Sequence, residues 1–79
     1  MKHDILSEIV VGETCIIDVV RSEKAIARRL VDMGFLPGVP VKCVHMAPSG
    51  SPIAFWVKGT LVALRRSDCK NIAVKGRAA

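Results

Sequence analysis

Apolar and polar positions alternate over Thr14–Val20, with Cys15, Ile17 and Val19 on one side and Thr14, Ile16, Asp18 and Val20 on the other. A period of two predicts a strand, and the polar members turn the second side toward solvent. The period then lengthens. Ile26, Leu30 and Met33 recur at i, i+4 and i+7, flanked by Ala27 and Val31, while Lys24, Arg28 and Asp32 point away. This predicts an amphipathic helix over 23–33, with Ser22 as N-cap and Glu23 in the first turn, where the helix dipole favours an acid. At about three turns the helix needs packing to be stable. Gly34 suits the position just past its end, where φ is positive, and Phe35 can fold back onto the last turn. Pro37 and Gly38 fit the two central positions of a type II turn. Gly34, Pro37 and Gly38 are therefore read as structural turn residues.

The remaining chain is built of short apolar runs between turn signals. Over 41–47, Val41 and Cys43 face one way and Val44 and Met46 the other, which predicts a strand that either carries a bulge or is apolar on both sides. Residues 48–52 form a hairpin loop with a proline at each end. A third strand over 53–58 turns Ile53, Phe55 and Val57 inward and Ala54, Trp56 and Lys58 outward. Gly59 and Thr60 turn the chain into a fourth strand over 61–65, with Val62 and Leu64 inward and Leu61 and Ala63 outward. One helical turn over 67–70, capped by Ser67 or Asp68, precedes a short closing strand over 72–74. Residues 1–12 read as a lead-in that docks Leu6 and Ile9, and 75–79 as a frayed, flexible tail. The whole chain, 1–79, is one domain. It is mainly β, a small closed barrel of about five strands with one helix inserted after the first, because closure removes edges that so short a chain can hardly cover.

Composition narrows the chemistry. Twelve basic against seven acidic residues give a net charge of +5, which permits an anionic partner without requiring one. Cys15, Cys43 and Cys69 are odd in number and widely spaced, with no C-x-x-C, which excludes a zinc ribbon or a dithiol redox motif. Acids interrupt the N-terminal segment where a signal peptide needs an apolar run, and no run approaches a membrane span. These features predict a cytoplasmic protein with reduced thiols and no membrane insertion of its own.

No phosphate-binding glycine loop, nucleophile–base pairing or carboxylate pair near a histidine occurs, so an enzyme is not expected. Cys43 and His45 stand two apart on a predicted strand and share a face if the pleat is regular. Both suit Fe2+ or another transition metal. The competing reading has Cys43 filling the core beside Val41 and His45 on the surface beyond a bulge. His3 and Asp4 near a free N-terminus would chelate metal only adventitiously. Lys24, Arg28, Arg29, Arg65, Arg66, Lys70 and Lys75 form a possible basic stripe for nucleic acid. The stacking aromatics of single-strand binders are absent apart from Trp56, so no dedicated nucleic-acid partner is expected.

Three stretches resemble one family. Residues 29–38, Arg-Leu-Val-Asp-Met-Gly-Phe-Leu-Pro-Gly, are similar to the helix-end signature of the FeoA family, ferrous iron transport protein A. Residues 47–53, Ala-Pro-Ser-Gly-Ser-Pro-Ile, resemble its hairpin. Residues 59–66, followed by Ile72-Ala73-Val74, resemble its closing segment. The likeness spans roughly 6–74. Ser51 stands where the hairpin usually carries Asp, Thr60 where an aromatic is common, and Trp56 where an outward charge is frequent. The resemblance implies an SH3-like barrel and a small cytoplasmic, non-catalytic partner of the ferrous iron permease FeoB, a membrane protein with a GTPase domain. It also implies a link to metal biology, since the same fold accompanies iron-dependent repressors. Outward-facing Ala54, Trp56, Leu61 and Ala63 would form an apolar patch, and Trp is frequent at binding hot spots. The patch is the expected contact for the permease's cytoplasmic part or for a second copy of the chain. A metal-sensing domain and a nucleic-acid-binding barrel are the alternatives.

Overall fold

The computed structural model describes residues 5–77. His3 and Asp4 lie outside them. A 3-10 turn, Leu6–Glu8, leads into β1 (Thr14–Val20), α1 (Lys24–Asp32), β2 (Pro40–Met46), β3 (Ile53–Val57), β4 (Thr60–Leu64), α2 (Arg66–Cys69) and β5 (Ile72–Arg77). The five strands form one antiparallel sheet in the order β4-β3-β2-β1-β5. One core gathers side chains from every strand, including Cys15, Ile17, Val41, Phe55, Leu64 and Ile72. Leu6 and Ile9 dock on it from the lead-in, and Ile5 bridges to Ala73 on β5.

α1 stops as its residues dictate. The Phe35 amide donates to the Leu30 carbonyl at 3.0 Å and the Gly34 amide to that of Val31 at 2.9 Å, with Gly34 at φ +107°. These are the paired bonds of a Schellman stop, and Leu30 and Phe35, whose contact accompanies it, are both fully buried. The Val39 amide then donates to the Leu36 carbonyl at 3.1 Å across Pro37 and Gly38, and Gly38 has φ +86°. That is the φ a type II turn requires of its third residue.

Several boundaries and faces differ from the sequence reading. Glu23, not Ser22, is the N-cap of α1, and it makes no side-chain capping bond. The Ser22 hydroxyl is buried, with no hydrogen-bond partner among the described residues. In β1 the register against β5 shifts between Ile17 and Val19. Asp18 is the extra residue, so Val19 turns outward and Val20 packs on the core instead. The turn after β3 is Lys58 and Gly59, with φ +49° and +78°, and Thr60 already pairs with Val57. Two successive positive φ values match the twist of a two-residue hairpin. α2 is capped by neither Ser67 nor Asp68, since Arg65 holds the cap position. β5 continues past Val74: Lys75 pairs with Ile16 and Arg77 with Cys15. The segment expected as a tail from 75 is therefore paired strand up to 77.

A candidate docking face on three strands

The register of β2, β3 and β4 builds the outer face row by row. Lys42 lies opposite Trp56, and Trp56 opposite Leu61. His45 lies opposite Ala54, and Ala54 opposite Ala63. Directly opposed residues on one face touch across the sheet, so each row is a continuous strip. Trp56 is 50% exposed and Leu61 61%. Ala63 is exposed and Ala54 half-buried. The four residues expected to form an apolar patch are thus brought together. Alternation along β3 sends Ile53, Phe55 and Val57 into the core beneath them. The Phe55 ring meets Phe35 edge-on, with centroids 5.9 Å apart and planes at 87°. That contact anchors the strand from which Trp56 projects.

Cys43 and His45 are not brought together. The β2–β3 register shifts between them, pairing Cys43 with inward Phe55 and His45 with outward Ala54. The extra residue is Val44. Cys43 is fully buried, its thiol 4.0 Å from the His45 carbonyl, while the imidazole side of the strand is exposed. Burial pushes the Cys43 thiol above its ordinary value. Cys69, also fully buried, is pushed up to about 12, chiefly by burial and then by the neighbouring Asp68 carboxylate. Both are protonated core fillers at neutral pH rather than ready thiolate ligands. Among the described residues no three His, Cys, Asp or Glu side chains converge as a metal site would require. The donor set at Cys43 and His45 does not fit a resident metal.

Two arrangements flank the face. The end of α1 lies against the β3–β4 hairpin: a Cβ added at Gly34 would sit 2.8 Å from Val57 Cγ1. Between them opens a cleft of about 480 Å³ lined by Val31, Met33, Leu36, Val57, Lys58 and Val62. Pro37 and Gly38 are exposed beyond it. On the other side, Ser51 Oγ accepts the Arg66 amide at 3.1 Å, and Arg66 Nη1 donates to the Gly50 carbonyl at 3.3 Å. Ser51 therefore caps α2 from across the chain. Arg65 Nε lies 3.5 Å from the Asp68 carboxylate. Neither the cleft nor the cap is visible in a local sequence pattern, because each joins segments far apart in the chain. The one local hint was a turn-forming Ser at 51.

Among the described residues no helix is long and apolar enough to cross a membrane.

A family model described as "FeoA domain" matches residues 5–76. The FeoA protein of Chlorobium tepidum, solved in solution, superposes with a TM-score of 0.84 at 35% identity, over 90% of this chain and 68% of that one. The FeoA of Stenotrophomonas maltophilia, solved as a zinc complex and described as a prokaryotic SH3 domain protein, superposes with a TM-score of 0.78 at 34% identity, over 95% and 89%. A fusion of Fe(2+) transport protein A with the Fe(2+) transporter FeoB from Porphyromonas gingivalis is 31% identical over 70 residues. Those residues make up 89% of this chain and 8% of the fusion protein.

Proposed function

This chain belongs to the FeoA family, a family of accessory domains of ferrous iron transport with an SH3-like fold and no known enzymatic activity, and on that premise we propose that it docks on the cytoplasmic part of a FeoB-type permease. The observation that carries the proposal is the fusion relative, in which a sequence like this one is joined to a FeoB transporter in a single polypeptide. Two proteins joined in one chain are held side by side, and this supports contact between their separate counterparts. The outer face of β2–β4 supplies one. It presents an exposed Trp and Leu side by side on a rigid sheet, and aromatic anchors of this kind dominate binding energies at protein interfaces.

In this reading the domain works in the cytoplasm, moves no iron through itself and acts by contact. The test is co-purification with the permease's soluble GTPase domain, with and without guanine nucleotide. Trp56→Ala is expected to weaken association by a factor of about thirty, the effect of a hot-spot residue. Its thermal unfolding should match that of the unaltered chain, since the side chain is half exposed. Equal capture of both forms would remove the face from the proposal.

A further inference from the structure

All seven carboxylates lie outside β2, β3 and β4, and none occurs between Asp32 and Asp68. Three adjacent strands therefore build a surface with cations and no side-chain anion of its own. Lys42 stands beside Trp56 in the first row and is exposed, with no ion-pair partner among the described residues. Arg65, two residues past Ala63 and just beyond β4, has a side chain 73% exposed, but it already pairs with Asp68, its Nε 3.5 Å from that carboxylate. His45 closes the second row. The apolar centre of Trp56 and Leu61 is thus edged by the positive charge of Lys42. A sheet face meant only for solvent normally mixes both signs, and a face of one sign favours the opposite sign in its partner and repels its own.

We propose that this face takes a protein surface with an apolar centre and a carboxylate at its edge, the carboxylate meeting Lys42 while an apolar side chain covers Trp56 and Leu61. The inference rests on the reading that the face docks the permease, and it names the chemistry of the contact on the permease's side. The apolar row supplies affinity, and Lys42 sets register and rate of encounter.

Trp56 is the chain's single tryptophan, so growth on 5-fluorotryptophan places one fluorine on the face and nowhere else. The permease GTPase domain is titrated into this labelled chain and the fluorine resonance followed. We expect the resonance to shift on binding. Affinity should fall at least tenfold between about 0.05 M and about 0.5 M salt, because exposed charges are screened at the higher strength. Lys42→Glu should weaken binding about tenfold, and Lys42→Arg should keep it, since charge rather than shape is being read. A shift whose affinity ignores both salt and Lys42→Glu overturns the carboxylate edge and leaves docking at Trp56 standing. Binding that leaves the resonance unmoved overturns the face itself, and with it this inference, while sparing association with the permease. Failure of the domain to bind overturns both. Vesicles of phosphatidylcholine with and without phosphatidylglycerol form the last arm. A shift with the anionic vesicles alone, and none with the permease domain, would assign the face to lipid and overturn the proposal.

Discussion

Gly34 carries two constraints, one in its backbone and one in its neighbour. Its φ of +107° disfavours any L side chain, and a Cβ would come within 2.8 Å of Val57 Cγ1. Gly38 shares the first constraint, at φ +86°, but nothing lies within 4 Å of where its Cβ would be. Gly38→Ala is therefore expected to cost about 1 kcal/mol, the backbone strain alone. Gly34→Ala should cost about 2–4 kcal/mol, since Val57 is itself fixed in the core and must shift. Urea denaturation with an unchanged m-value measures both, and equal losses would show that the contact with Val57 is soft. Burial of Cys69 ties stability to pH. Its folded-state pKa is raised from 9.0 to about 12. The unfolded chain then releases this proton first, so the contribution is complete below about pH 9 and disappears as pH climbs toward 12. The melting temperature should fall across that window, and Cys69→Ala should flatten the fall. Parallel curves would mean that the thiol is better solvated than its burial implies.

At the scale of elements, the loop between β2 and β3 and the short α2 hold one another. Ser51 caps the Arg66 amide, and the Arg66 guanidinium returns a bond to the Gly50 carbonyl. Four residues cannot sustain a helix alone, so α2 depends on this loan from a distant loop. Ser51→Ala is expected to cost about 1 kcal/mol, the usual effect of losing an N-cap. It should also speed hydrogen exchange at the Arg66 amide, whereas Ser51→Asp should keep the protection. Unaltered exchange in the Ala variant would mean that water replaces the hydroxyl. Such partnerships mark where sequence reading stops. The helix stop and the following turn were legible because Gly34, Pro37 and Gly38 impose backbone angles by their own chemistry. The alternation of β3 and β4 was legible because both strands keep strict register from Ile53↔Leu64 to Val57↔Thr60. The bulge at Val44 left a trace in the pattern, and the one at Asp18 left none. An inserted residue in β1 is decided by pairing with β5, which Asp18 alone does not announce. Ser22 looked like a cap because Ser is a good one, yet α1 begins one residue later. The apolar members of the candidate face followed from alternation. Its edging by Lys42 required the register of β2 on β3, which only the folded sheet supplies.

For the molecule as a whole, folding and docking draw on different sides of the same strands. Phe55 and Val57 point into the core while Trp56 between them points out. Variants of the outer face should therefore leave stability within about 0.5 kcal/mol of the unaltered chain. Trp56→Ala and Lys42→Glu, melted alongside it, test this. A loss above about 2 kcal/mol in either would place that side chain in the fold's support and disqualify it as a binding probe. Ile5 bridges to Ala73, so the point where the described chain arrives lies beside β5, the strand on which it departs. Along the sheet, β1 and β2 separate them from Trp56. A domain wired in this way can be spliced into a longer polypeptide by either end with little rearrangement. A tether leaving from that edge would hold the domain near its neighbour at high effective concentration. The anchor row on β2–β4 would stay free to turn toward whatever the tether brings within reach.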